Sequence, residues 1–255
     1  MRVVIIGAGN VATVFGRLIK KANHRIIQVV SRNINHARSL AIECGCAFAD
    51  DIKIVDTSAD IYVVAIADAA LNDIHEYRLP KDQLIVHTAG AVSKHILKMV
   101  SINYGVMYPL QSLRKENVEL QQDIPLLIDG NTEESILSIG KFASSLSSII
   151  ARVNDEQRLK LHVAAVIVNN FTNHLYTLAA GYCREEGLDF KMLQPLIEET
   201  ALRLRHHHPG DMQTGPAARK DITTLEKHLD ILSRHPALKK IYIEMTASIL
   251  GTPVP

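Results

Sequence analysis

The first half of the chain alternates two hydrophobic periods, and the second half keeps only one. Short apolar runs lie at Val3–Ile6, Ile26–Val30, Ala47-Phe48, Ile61–Ile66, Leu84–Val86, Gly105–Gln111, Leu126–Ile128 and Ser148–Ile150. Between them apolar residues recur at helical spacing, as at Val11, Val14, Phe15, Leu18 and Ala22, with Arg17, Lys20 and Lys21 off that stripe. Further helices are expected at Asn35–Cys44, Ala69–Tyr77, from Ser93 to about Val100, and at Glu133–Leu146. Runs without polar alternation belong to strands covered on both faces, as in a parallel sheet with helices above and below. Near Arg152-Val153 the strand period stops. Asn154, with Gln157 three residues on, forms a capping box, and the next stop signal is Gly187, which predicts a helix of thirty-odd residues. From Leu159 to Ala180 its apolar residues fall nearly all round, as in a buried spine. Three more helices follow: Asp189–Arg205, kinked or restarted at Pro195; Ile222–Ser233, capped by Asp221; and one opened by Pro236 with the stripe Leu238, Ile241, Met245 and Ile249. The expected architecture is α/β, a doubly wound, mostly parallel sheet over residues 1–153, followed by an all-α domain over residues 154–255.

One turn gives that sheet a chemistry. Gly7-Ala8-Gly9-Asn10-Val11-Ala12 joins the first strand to the first helix and fits the dinucleotide fingerprint G-x-G-x-x-G/A of a Rossmann-type fold. Gly7 makes the bend, Gly9 leaves room for a pyrophosphate, and Ala12 lets the helix pack close to the sheet. The amides of Asn10, Val11 and Ala12 and the helix dipole would meet the phosphates. The second strand ends in Ser31-Arg32-Asn33, where an Asp or Glu would accept hydrogen bonds from the adenosine ribose of NAD. A hydroxyl and a guanidinium suit a 2′-phosphate instead, which selects NADP(H). Ligands of open α/β sheets lie beyond the carboxyl ends of the strands, so Ala65, Ile66, Ala67 and Asp68, and then Thr88 and Gly90, are expected beside the cofactor. Asp68 has a second reading, as the cap of helix Ala69–Tyr77.

Composition narrows the partner. Lys and Arg number 28 against 27 Asp and Glu, so no charge excess points to nucleic acid or an anionic membrane. Three cysteines without a CxxC spacing suit a reducing compartment, and the absence of a signal-peptide pattern or a membrane-length apolar run fits the cytoplasm. A small molecule is the expected substrate. His87, Tyr108 and His162 are the candidate proton donors or orienting groups, Asn169 and Asn170 the candidates for positioning the substrate, and Arg219 for holding an anionic end. His162 and Asn169, seven apart on a helix, share a face. His206, His207 and His208 point in different directions from consecutive positions and are not expected to share a metal ion.

The motifs GAGNVA, VSRN, the Asp68 loop, HTAG, MYPLQS, LHVAAVIVNN and TGPAARKD followed by His228-Leu229 resemble those of a bacterial NADP oxidoreductase family. That family pairs a Rossmann-like domain with a helical domain of unknown function, and the resemblance covers essentially the whole chain. More distantly the chain is similar to pyrroline-5-carboxylate reductase and the 3-hydroxyacid dehydrogenases. The resemblance implies NADP(H) as cofactor and a helical domain that builds a homodimer and closes the active site. Two positions depart from it: Tyr108 stands where the family has a His before the proline, and the catalytic Lys of the 3-hydroxyacid dehydrogenases falls on Val166, which transfers no proton. The expected function is hydride transfer between NADP(H) and a small C=O or C=N substrate. The alternative is a non-catalytic NADP(H)-binding redox sensor.

Overall fold

The computed structural model describes residues 1–116 and 123–252. Val3, Val4, Ile5 and Ile6 of β1 (Arg2–Ile6) are all buried. The pleat sends Val3 and Ile5 to one side, into a cluster with Phe15 and Ile19 of α1 (Asn10–Lys21), Leu40 of α2 (Ile34–Cys44) and Phe142 of α3 (Glu133–Leu146). Val4 and Ile6 go to the other, with Leu71, Ile74 and Leu97. An unbroken apolar run is therefore required, since each side chain fully buried on either face stabilises the fold by about 1.5–3 kcal/mol.

The remaining strands are β2 (Arg25–Val30), β3 (Ala47–Ala49), β4 (Ile61–Val64), β5 (Leu84–His87), β6 (Asn103–Pro109), β7 (Leu126–Gly130) and β8 (Ile150–Arg152). They form one eight-stranded sheet in the order β3-β2-β1-β4-β5-β6-β7-β8, parallel except where β6 meets β7. The sheet is the doubly wound, mostly parallel Rossmann type that the sequence predicts. Its order reverses between β1 and β4, the switch point at which such sheets open a crevice.

Two connections differ from expectation. Residues Asp68–Glu76 form 3-10 turns rather than an α-helix; their cap position is Ala67, and no side chain caps them, so Asp68 is not a cap. After β5 there is only a 3-10 turn, Lys94–Leu97, although Ser93 Oγ accepts from the His95 amide as a cap should.

The chain divides into two compact units, residues 1–169 and 170–255. The division falls inside the long helical stretch, not at its start. That stretch begins with the expected capping box, Asn154 accepting from the Gln157 amide and Gln157 Oε1 from the Asn154 amide, and runs as α4 (Asp155–Ala165). A π-helical turn, Val166–Phe171, then leads into α5 (Thr172–Glu185), and Gly187 follows with φ +70°. The expected buried spine is not found: between Arg158 and Cys183 no residue of this stretch is buried, and Val168 stands 72% exposed. Its apolar positions outnumber those that one chain covers. The helical unit continues with α6 (Gln194–Arg203), restarted at Pro195 after a 3-10 turn, α7 (Ile222–Ile231), whose Thr224 amide donates to Asp221, and α8 (Pro236–Leu250). Among the described residues no helix is long and apolar enough to cross a membrane.

Candidate active site

At the switch point the strand ends are tied into one rim. The Gly7 amide donates to Val30 O (2.8 Å), Ala65 to Ile6 O (2.7 Å) and Thr88 to Val64 O (3.1 Å), so the turns after β1, β4 and β5 emerge side by side. The turn after β1 tolerates no side chain at its first glycine: Gly7 has φ +114°, and a Cβ there would lie 2.1 Å from Ala65 O. Gly9 is different. It is the cap position of α1, no side chain caps the helix, and a Cβ at Gly9 would meet nothing within 4 Å. The first backbone bond of the helix runs from Thr13 to Gly9 O at 2.9 Å, so the amides before it have no partner within the helix. Amides without a backbone partner among the described residues, at the positive end of a helix and facing open space, fit a pyrophosphate.

Around this cradle Ala12 is fully buried against the sheet, Val11 is half-buried, and Asn10 Oδ1 accepts from the Lys115 amide at 3.3 Å, which lays the segment after β6 across the start of α1. At the end of β2, the Ser31 amide donates to Ala49 O, and Asn33 caps α2. Arg32 is exposed, with no hydrogen bond or ion pair among the described residues, which suits a guanidinium that awaits a phosphate. Ala65 is buried under the turn, while Ile66, Ala67 and Asp68 grade from half-buried to exposed. The Thr88 hydroxyl turns inward, 3.4 Å from Val64 O.

The second half of the site brings together three residues far apart in sequence. Tyr108 Oη, near the end of β6, lies 2.9 Å from Nδ1 of His162 on α4, with the rings edge to face. Both side chains are half-buried. Gly90, in the turn after β5, packs against the pair so closely that a Cβ there would stand 2.8 Å from both His162 Nδ1 and Tyr108 Cζ. Burial, and then the charge of Asp68, push the Tyr108 phenol above its ordinary value, against a smaller opposite effect of Arg158. The hydroxyl therefore keeps its proton through neutral pH.

Arg158, one helical turn before His162, is a residue that the sequence does not single out. Its side chain is 1% exposed. Nε donates to Gly90 O at 3.2 Å, Nη2 donates to Val92 O at 2.5 Å, and Nη2 also pairs with Asp155 at 2.9 Å. Asp155 in turn accepts from Ser93 Oγ and from the Lys94 amide. Burial acts to raise the Asp155 carboxyl, but these hydrogen bonds outweigh it and hold the group below its usual range.

His87 is not part of this cluster. It is fully buried, and Nδ1 accepts from the Ala89 amide at 3.2 Å. Burial, reinforced by the Arg158 charge, lowers its pKa to about 4. His87 is therefore a neutral, enclosed imidazole tied to the turn after β5. Asn169 falls within the π turn, where wider i→i+5 coiling breaks the seven-residue stacking on His162 that an α-helix would give; it is exposed. Asn170 and Arg219 belong to the helical unit, and both are exposed. His206 and His207 are exposed, and the ring of His208 accepts from the Gly210 amide.

Residues 2–90 match the family described as NADP oxidoreductase, coenzyme F420-dependent, and residues 124–249 match a domain of unknown function, DUF2520. The putative NADP oxidoreductase of Bacteroides fragilis is 34% identical, with 98% of each chain covered and a TM-score of 0.92. The fold is shared with the imine reductase of Myxococcus stipitatus, solved in complex with NADP+, at 15% identity, 98% of this chain and 93% of that one, and a TM-score of 0.69. It is also shared with the 1-pyrroline-5-carboxylate reductase of Streptococcus pyogenes, at 13% identity, 98% of each chain and a TM-score of 0.66. Pyrroline-5-carboxylate reductase of Aquifex aeolicus is 35% identical over 66 residues, which span 26% of this chain and a quarter of that protein. With its nucleotide cradle, its matched N-terminal segment and a relative aligned from end to end, the chain belongs to the family of NADP oxidoreductases that join a Rossmann-type, NADP(H)-binding domain to a DUF2520 helical domain.

Proposed function

We propose that the protein reduces or oxidises a small C=O or C=N compound with NADP(H), and that Tyr108 and His162 manage the proton. The observation that carries this reading is the 2.9 Å pairing of Tyr108 Oη with His162 Nδ1 beside Gly90, at the carboxyl ends of β5 and β6. Gly7, Gly9, Asn10, Val11 and Ala12 would hold the pyrophosphate, and Ser31 and Arg32 the 2′-phosphate. Bound NADPH supplies the hydride. With the hydrogen of His162 on Nδ1, the ring donates to the phenol oxygen, and the phenol's own hydrogen is free to point to the substrate. As Tyr108 gives up that proton, His162 stabilises the oxygen left behind. The raised phenol pKa suits a donor that must stay loaded until a stronger base forms.

On this reading residues 1–153 form the cofactor domain and residues 154–255 a domain for substrate and dimerisation. Exposed Val163, Ile167, Val168 and Phe171 supply an apolar face for a second copy. Exposed Arg219 is the candidate for an anionic substrate end, with Asn169 and Asn170 as further polar contacts. Three free cysteines and the balanced charge suit the cytoplasm and a small-molecule partner rather than nucleic acid or membrane. The test is NADPH oxidation with a panel of cyclic imines, aldehydes and keto acids, followed by Tyr108→Phe and His162→Asn. Turnover that falls by about 10²–10⁴-fold in both variants, with NADPH affinity kept, supports the assignment. Tight NADPH binding without turnover of any panel member points to a sensor instead.

A further inference from the structure

We infer that Arg158 is a positioning residue for the Tyr108–His162 pair, acting as a buried brace that holds the pair against the turn after β5. The inference rests on the reading that this pair handles the proton. Arg158 and His162 are four apart on α4, so they lie one above the other on one face of the helix. Both touch Gly90. Arg158 Nε holds its carbonyl at 3.2 Å, and His162 Nδ1 would lie 2.8 Å from a Cβ on its α-carbon. The turn is thus gripped at one residue by the brace and by the ring that the brace supports.

Three features separate this arrangement from an ordinary surface arginine. The guanidinium is enclosed, its second donor is fixed on Val92 O, and its charge is matched by Asp155, itself fastened to Ser93 and Lys94. Every acceptor lies in the segment 90–92 or in the first turn of α4. The fork therefore locks the azimuth of α4 to the end of β5, and with it the distance from His162 to Tyr108. A lysine keeps the charge but has no planar fork to hold two carbonyls at once. Nη1 is buried without a partner, so the charge itself is not the best-satisfied part of the design; the directed bonds are.

The test uses the full-length protein with histidine labelled in 15N. The His162 ring signals are assigned by their loss in His162→Asn, and Tyr108→Phe gives the reference for an unpaired ring. In Arg158→Lys the His162 signals are expected to move at least halfway towards that reference, while the affinity for NADPH stays within about twofold and the circular dichroism is unchanged. On whichever panel compound is turned over, kcat is expected to fall about 10²-fold, the loss expected for a misplacement of about 1 Å, with KM changed by less than about threefold. Arg158→Met, which removes all the donors, should move the signals further. If Arg158→Met does not fold, Arg158→Lys alone decides. Unshifted His162 signals in a folded Arg158 variant overturn the inference even where its melting temperature drops, since that result describes a structural arginine only. If Tyr108→Phe leaves turnover unchanged while the Arg158 variants still shift the His162 ring, the proton assignment fails and the brace stands.

Discussion

The sheet unit and the helical unit distribute their apolar residues in opposite ways. In residues 1–169 the inner strands are covered on both faces, and two clusters of buried side chains form on either side of the sheet. In residues 170–255 the buried apolar side chains among the described residues are Cys183, Ala217, Leu225 and Leu232, while Leu188, Met192, Leu196, Leu202 and Leu204 are exposed. Each unit nevertheless holds a Tyr–His pair: Tyr108 with His162 at 2.9 Å, and Tyr242 with His228 Nδ1 at 2.7 Å. Burial raises both phenols above their ordinary values. What separates them is the surroundings. Tyr108 is at the rim of the strand ends, pressed against a glycine and facing the side on which such sheets bind ligands, whereas Tyr242 joins α7 to α8 within a helical bundle. On the proposed function, the same pair of residues would serve chemistry in a finished core and cohesion in an unfinished one.

The largest effect should come from replacing one phenol at a time. Tyr108→Phe is expected to lower kcat by about 10²–10⁴-fold, and Tyr242→Phe to leave kcat within about twofold while it removes about 1 kcal/mol of stability. Steady-state kinetics and urea unfolding of the two variants check this, and equal kinetic losses would abolish the contrast. In the wild type kcat should also stay level until the pH exceeds the ordinary phenol value near 10, because the Tyr108 pKa is raised. Next comes the acid limb of stability, to which His87 in the sheet unit contributes most, with His24 shifted the same way by burial and then by the N-terminal charge. The folded pKa of His87, about 4, lies below the usual 6.5, so the unfolded chain takes up a proton that the folded chain refuses. Stability is full above pH 6.5 and falls as the pH drops to about 4, by up to about 3 kcal/mol. Urea midpoints between pH 8 and 4 should show this slope, and His87→Asn should flatten it.

A smaller effect is expected from the exposed helix face. Val168→Glu or Phe171→Glu should weaken self-association by about tenfold or more, read by sedimentation, with secondary structure kept. A wild-type protein that is monomeric at every concentration would remove the second copy as the cover for these residues. The smallest concerns Gly181, in the middle of α5, where a Cβ would meet nothing within 4 Å. Gly181→Ala should raise stability by about 0.5–1 kcal/mol in thermal melts, and a loss instead would mean that a close neighbour already occupies that space.

Local signals were legible. The glycine turn, the Asn154–Gln157 box and the bounds of α3 all depend on contacts a few residues apart, and the sequence displays them directly. Of the two readings of Asp68, the cap failed because a capping residue at the head of an apolar period looks the same whether the segment coils as an α-helix or as 3-10 turns. The apolar residues that fall nearly all round the long helix read as a buried spine, but composition carries no information on what would cover them, and within one chain they stay exposed or half-buried. Tyr108 and His162 were each candidates, yet their pairing depends on where β6 ends and how α4 packs, 54 positions apart. Arg158 escaped altogether: a charged residue in the first turns of a helix reads as solvated, and only the carbonyls of Gly90 and Val92, supplied from another element, make its burial possible.

The wide turn at Val166–Phe171 makes the length of that segment a coding element in its own right. Deleting a single residue there would restore ordinary i→i+4 coiling, because a wide turn of this kind absorbs one extra residue within itself. Relatives that differ by one residue at this point would then align along the rest of the helix without a further gap and differ only in the side chains that the turn itself presents.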